Sequence, residues 1–310
     1  MRHAEITIDE GVYEVKADLK SPEDGGDRGV ILAHGGFVNR KSLSRTGFCM
    51  AEYLSRELDA YVLTPDMAGE TRVHKPGGLS LQDSVNVLGI GIDYLSDVLG
   101  VERIACFGHS LGSLILAKAL ESSRNVVAAS TYGGPMASAN MGRSLSYLSG
   151  VLNVGFLRNR TVSVDDVSKF FDGETRDYFY TVMMMHDEYG GDNYNLEYEF
   201  SYLMESIGFL TSYLERLKGW ERPVLVSFGE NDSVVRSPRK RYRGVERIGN
   251  IEFHVIPEGC HITPCREEPL EVSKMKPIRD FLERNLAYAD EHGITMEHPE
   301  APIPGTVSGE

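Results

Sequence analysis

Residues 102–120 read ERIACF-GHSLG-SLILAKAL, a short apolar run, a glycine-bracketed serine and a helix-forming run in direct succession. Residues 102–107 have the length and apolar content of a buried strand, and the run from Ser113 has helical character. Between them stands Gly108-His109-Ser110-Leu111-Gly112. A G-x-S-x-G pentapeptide alone is a weak signal, because small residues recur by chance. At a strand-to-helix turn it is a strong one. There the serine backbone is forced into a tight bend, neighbouring segments pass close by, and only small residues leave room for them. Gly108 and Gly112 supply that room. The turn exposes the Ser110 hydroxyl and aims the start of the following helix at it, so that helix N-terminal amides face any developing negative charge. The alternative is a glycine-bearing connection with no chemistry.

Outward from this turn, apolar strand-length runs alternate with helix-period segments. Residues 5–17 suggest one or two edge strands turned at Glu10 and Gly11, and RGVILAH (28–34) reads as a buried strand. A helix is expected over 43–58 and a strand over 60–66 (AYVLTPD). Leu81, Val85, Leu88, Ile92 and Leu95 recur at steps of four and three, which puts one apolar stripe on a helix. VVAASTY (126–132) reads as the next strand, and the connections are too long for hairpins. This β-α repetition predicts an α/β fold with a mostly parallel sheet. The pattern stops at residue 135. Residues 135–218 are rich in Met, Tyr, Phe and Asp and read mainly as short helices, an insertion into a core formed by 1–134 and 219–290. Strands resume at RPVLVSF (222–228) and IEFHVIP (251–257), and a helix is expected over 266–289, with Pro269 and Pro277 counting against its first half. Residues 291–310, with Pro299, Pro302 and Pro304, read as a flexible tail.

A serine hydroxyl needs a base. In a strand-turn-helix arrangement of this kind the partners follow in the order serine, acid, histidine, each on a loop after a later strand. His261, in PEGCHITP just past the last strand, occupies the place of the base. His109 adjoins Ser110 and is expected to point away into packing, His254 lies inside a strand, His186 in the insertion, and His292 and His298 in the tail. For the acid, Asp232 lies in the polar turn GENDSVV after the strand ending at Phe228, where it could accept the Nδ1 hydrogen of His261. Chain order favours Asp232, with Glu230 and Asp66 as alternatives. His34-Gly35-Gly36-Phe37 follows the strand 28–33, where a backbone amide could stabilise an oxyanion; Gly36 and Phe37 are both candidates, with Leu111 supplying the second amide. His34 reads as a brace for that turn.

Together HGGF (34–37), DMAGE (66–70), GHSLG (108–112), GENDSVV (229–235) and GCHITP (259–264) resemble the α/β-hydrolase superfamily, over residues 28–134 and 222–288. Within it the chain is most similar to the serine esterase, monoacylglycerol-lipase and lysophospholipase branch. The resemblance implies a mostly parallel, eight-stranded-type sheet flanked by helices, with a mainly helical cap. It implies that Ser110 forms an acyl-enzyme, that His261 shuttles the proton and that Asp232 orients it. DMAGE departs from the commoner pattern of the branch, in which further glycine and serine follow. Relatives that carry out dehalogenation or epoxide opening have aspartate where Ser110 stands, so their chemistry is not expected. Carboxylic ester, thioester and activated amide hydrolysis all pass through an acylated serine. Water completes the cycle, so no cofactor is implied.

Specificity would come from the insertion, where Phe170, Phe171, Tyr178, Phe179 and Tyr180 precede Met183, Met184 and Met185. Met183, Met184 and Phe179 are candidate contacts for an acyl chain, although such residues also simply pack an insertion onto its core. Composition bounds the partners. Of 310 residues, 41% are hydrophobic and 25% charged, an ordinary globular balance. The 32 Lys and Arg against 46 Asp and Glu leave a formal charge of −14, which argues against general nucleic-acid binding. No secretory signal or apolar window of spanning length is present, and four cysteines in a chain this long are no disulfide framework, so a cytoplasmic protein without stable membrane insertion is expected. Cys260, His261 and Cys265 lie close in sequence, but no second Cys/His pair at ligand spacing completes a zinc site. The expectation is a serine hydrolase acting on small-molecule esters of small to medium acyl chains, with a thioesterase or acyltransferase, or a non-catalytic ligand binder, as alternatives. Oligomeric state is left open.

Overall fold

The computed structural model describes residues 1–23, 25–36, 39–44, 49–67, 72–74, 80–134, 161–163, 197–199, 212–232, 247–265 and 273–292. Strands β1 (Arg2–Glu10) and β2 (Tyr13–Ser21) form an antiparallel hairpin whose turn uses the positive φ of Gly11, +67°. The chain continues through β3 (Arg28–Ala33), helices α1 (Lys41–Ser44) and α2 (Met50–Leu58), β4 (Tyr61–Pro65) and the two-residue β5 (Arg72–Val73). Helix α3 (Leu81–Asp93) runs into a π-helical turn (Tyr94–Val98), followed by β6 (Arg103–His109), α4 (Leu111–Ala119) and β7 (Val126–Tyr132). After β8 (Thr161–Ser163), β9 (Glu197–Glu199) and a helix α5 over 212–219 come β10 (Val224–Gly229), β11 (Arg247–Ile248), β12 (Ile251–Ile256) and α6 (Lys276–His292).

Ten strands join in one sheet, in the order β1-β2-β4-β3-β6-β7-β10-β12-β11 with β5 paired to β2. Its centre, β4-β3-β6-β7-β10-β12, is wholly parallel. The continuous apolar runs have a direct cause: both faces of the sheet are covered. On β3, Ile31 and Ala33 enter a core with Leu81, Val85, Leu88 and Ile92 of α3 and Leu114 of α4. Val30 and Leu32 enter the opposite core, with Met50, Leu54 and Leu58 of α2 and Ile278, Phe281 and Leu282 of α6. Each Val, Leu, Ile, Phe or Met side chain moved fully out of water in this way contributes about 1.5–3 kcal/mol. The two cores together therefore outweigh any local propensity.

Several expectations are refined. β2 is internal rather than an edge strand, because β4 pairs with its second side. Beyond eight strands, β5 and β11 add two residues each, too few to leave a periodic signal. The helix expected over 43–58 is divided: Cys49, at φ −132° and ψ 174°, is extended backbone at the start of α2. α6 starts at Lys276, with Pro277 in its first turn, where the missing N–H costs little; it reaches His292, two residues into the expected tail. Within the segment expected to be mainly helical, β8 and β9 form an antiparallel pair with Val162 opposite Tyr198. Three-residue strands are invisible to periodicity. α5, at the end of that segment, buries Tyr213 and Leu217 in the core. The rest of the expected cap and tail lies outside the described residues. Among the described residues no helix is long and apolar enough to cross a membrane.

Candidate active site

Register brings the site together. Ala33 stands beside Gly108, His109 beside Tyr132, Tyr132 beside Ser227, and Gly229 beside Ile256. The parallel strands β3, β6, β7, β10 and β12 thus end at one edge of the sheet. The loops beginning at His34, Ser110, Gly133, Glu230 and Pro257 all leave from that edge, where ligands bind in open α/β sheets.

Ser110 sits alone between β6 and α4 with φ 51° and ψ −121°, a conformation unfavourable for a side-chain-bearing residue. It is held by its N–H donating to the Tyr132 carbonyl (2.9 Å) and its own carbonyl accepting from the Ser113 N–H (3.0 Å). The flanking glycines are sterically required. A Cβ at Gly108 would lie 2.8 Å from Ser113 Cα, and one at Gly112 would overlap the carbonyl oxygens of Ala33 and His34. Leu111 opens α4, where the first amides have no partner within the helix.

His261 Nε2 is 2.9 Å from Ser110 Oγ, and His261 Nδ1 is 3.0 Å from Asp232 Oδ2. With the imidazole 5% exposed and the carboxylate fully buried, little solvent competes for these bonds. The loop carrying His261 is tied to the loop carrying Asp232: Asn231 N–H donates to the Gly259 carbonyl (2.7 Å), and Glu230 N–H to that of Ile256 (2.9 Å). Tyr132 hydroxyl donates to the Cys260 carbonyl at 2.6 Å. Glu230, one alternative acid, turns instead to the backbone of this loop and accepts the Glu258 N–H at 3.1 Å. Asp66, the other, lies 3.2 Å from His34 Nε2. His254 lies within β12, where burial pulls its pKa down.

His34-Gly35-Gly36 forms a turn against Ser110. A Cβ at Gly35 would lie 3.4 Å from Ser110 Cβ, and one at Gly36 3.0 Å from Leu111 Cδ2. Phe37 lies outside the described residues, as do Met183, Met184 and Phe179. His34 Nδ1 is 2.9 Å from the Gly35 carbonyl, while its Nε2 accepts the Met67 N–H at 3.0 Å. Asp66 also belongs to a buried ionic chain that the sequence did not single out. Arg40 Nε donates to Asp18 Oδ1 (3.1 Å), Arg40 Nη1 is 3.7 Å from Asp66 Oδ2, and Ser44 Oγ also donates to Asp18. Two carboxylates so deeply buried depend on their guanidinium. Arg40→Met is therefore expected to destabilise the fold by about 3–5 kcal/mol, read from urea denaturation. An unchanged midpoint would show that the carboxylates do not need it.

Gly133, which the sequence reading did not single out, and His109, read there as a packing residue, both meet the Ser110, His261 and Asp232 cluster. Gly133, at φ +59°, lies where a Cβ would be 2.9 Å from His261 Nδ1 and 3.1 Å from Asp232 Oδ2. A Gly-Gly pair directly after a strand at this edge was the available signal. His109 is buried as expected, but its ring is engaged: Nε2 donates to the His261 carbonyl at 2.8 Å. Burial works against charge on this ring, yet the Cys265 sulfur, the His261 carbonyl and the Asp232 carboxylate outweigh it and hold its pKa above the usual histidine value. Cys260 and Cys265 flank the base loop and are buried. Among the described residues no group of three or more His, Cys, Asp or Glu side chains could hold a metal ion.

Comparison with known proteins supplies the relatives of this arrangement. A family model described as the alpha/beta hydrolase family matches residues 30–274. No curated protein sequence matches the chain. Among solved structures, alpha/beta hydrolase GrgF from Penicillium sp. sh18 has a TM-score of 0.68 at 13% identity, over 93% of this chain and 100% of that one. The 2-hydroxy-6-oxo-6-phenylhexa-2,4-dienoate hydrolase of Rhodococcus sp. strain RHA1 gives 0.62 at 18% identity, over 91% and 99%. Est1E from Butyrivibrio proteoclasticus gives 0.58 at 17% identity, also over 91% and 99%. At these identities the likeness shows a shared fold.

Proposed function

This chain belongs to the alpha/beta hydrolase family, and from that premise we propose that it is a serine hydrolase cleaving carboxylic esters of small to medium acyl chains through an acyl-enzyme on Ser110. The observation that carries this reading is the unbroken Ser110–His261–Asp232 relay, with links of 2.9 and 3.0 Å. Ser110 Oγ attacks the ester carbonyl as His261 Nε2 takes its proton. Asp232 accepts the Nδ1 hydrogen, holding the required tautomer and stabilising the imidazolium. The Leu111 amide and that of Gly36 or Phe37 receive the oxyanion; one such donor is typically worth about 3–4 kcal/mol of transition-state stabilisation. The imidazolium then protonates the departing alkoxide, and water attacks the acyl-enzyme by the same route in reverse. Met183, Met184 and Phe179 are assigned to the acyl chain. Esterases among the solved structures of the same fold, such as Est1E and an esterase of Pyrococcus furiosus, lend weight to ester chemistry. A cytoplasmic location suits four buried cysteines of which none is in a disulfide.

Two measurements test the proposal. A fluorophosphonate probe should attach covalently to the peptide containing Ser110, and p-nitrophenyl esters from acetate to palmitate should be turned over best at the short and middle lengths. Labelling without turnover anywhere in the series would move the assignment to thioesters or acyl transfer. No labelling of the folded protein would favour a ligand-binding role.

A further inference from the structure

The hydrolysis just described uses no atom of His109, yet the ring of this residue meets the base loop at two points and faces the oxyanion turn. Nε2 is 2.8 Å from the His261 carbonyl oxygen. A carbonyl oxygen only accepts, so Nε2 carries the hydrogen in either charge state of the ring. Nδ1 is 3.5 Å from Cys265 Sγ, at the end of the 3-10 turn Thr263–Cys265 that follows the base. On a third side is the oxyanion turn, where a Cβ on Gly35 would lie 3.3 Å from Nδ1 and 3.6 Å from Cε1. A side chain on residue 35 would thus sit tightly against the ring. His109 is 3% exposed and Cys265 2%, so these contacts are shielded from bulk solvent.

The position of His261 needs such a tie. It lies past the end of β12, where no strand pairing sets its backbone. The bonds from Asn231 and Tyr132 hold Gly259 and Cys260, and the His109 bond holds the carbonyl of His261 itself. Because His109 is covalently next to Ser110, it fixes the backbone of the base directly against that of the nucleophile.

We propose that His109 is a positioning residue, which keeps His261 Nε2 within hydrogen-bonding distance of Ser110 Oγ by clamping the base loop to the nucleophile turn. The proposal rests on the serine-hydrolase reading above. Its test compares His109→Gln, whose amide nitrogen reaches about as far as Nε2, with His109→Asn, whose amide stops near Nδ1, and with His109→Phe, which keeps the ring and loses the donor. The full-length variants are labelled with a fluorophosphonate, and the first-order constant kinact is separated from KI. His109→Asn and His109→Phe should lower kinact by about 10²-fold, the scale of a misplacement of roughly 1 Å, with KI unchanged, and His109→Gln should recover most of the loss. Should the Phe variant fail to fold, the Gln and Asn pair, differing by one methylene, decides. Equal kinact for Gln and Asn, or a loss confined to KI, would overturn the role of His109. Labelling of wild-type Ser110 reports on the hydrolase assignment separately: if it fails, that assignment falls, and if it succeeds while Gln and Asn behave alike, only the positioning role falls.

Discussion

Ser110→Ala is expected to lower ester turnover by roughly a millionfold, as removal of a relay nucleophile does elsewhere, while leaving the fold in place. The loss follows from chemistry: no other hydroxyl lies within reach of His261 Nε2 in the described site, and alanine cannot be acylated. The fold should persist because the backbone bonds of residue 110, to Tyr132 and Ser113, do not involve its side chain. The position also stores strain, since φ 51° and ψ −121° suit glycine and penalise any Cβ. Ser110→Gly should thus be as inactive as Ser110→Ala but more stable, by about 1–3 kcal/mol in urea denaturation. Turnover by the alanine variant within tenfold of wild type would remove Ser110 from the mechanism, and equal stability of the two variants would remove the strain.

Gly133→Ala is expected to cost about 10³–10⁴-fold in kcat without touching the nucleophile, the acid or the base. The new methyl group would stand 2.9 Å from His261 Nδ1, 3.0 Å from its Cε1 and 3.1 Å from Asp232 Oδ2, against a hydrogen bond of only 3.0 Å between the two side chains. One of them must move. Once Asp232 no longer accepts from Nδ1, the imidazole is not held in the tautomer that leaves Nε2 open to the Ser110 proton. The positive φ of residue 133 adds a backbone cost of about 1–2 kcal/mol for alanine. The strongly downfield Nδ1 proton resonance expected of the His261–Asp232 bond should disappear from the NMR spectrum of the variant. Unchanged kcat, or a persistent resonance, would show that this bond tolerates the intrusion.

The candidate site was legible in the sequence where it is tied to local covalent order. Ser110 was readable because a strand, a tight bend and a helix follow one another within 19 residues, and that order alone demands glycines at 108 and 112. His261 and Asp232 were readable because each follows an apolar run, and parallel strands must end on one side. Chain order favours Asp232 but does not by itself exclude Glu230 and Asp66. All three follow strands, and which carboxylate turns to the imidazole depends on loop contacts: Glu230 caps the Glu258 amide, and Asp66 lies against His34 and Arg40.

What the sequence by itself determined is therefore the alternation that builds a parallel sheet and the residue types that the candidate site brings together, because both are written in spacings of a few residues. Only the tertiary structure decided that His109 grips the base loop, that Gly133 leaves room for the acid–base bond, and that Arg40 lies between two buried carboxylates. Each of these joins segments 22 to 152 residues apart. Such contacts come from strand register and loop packing, and no local periodicity encodes them.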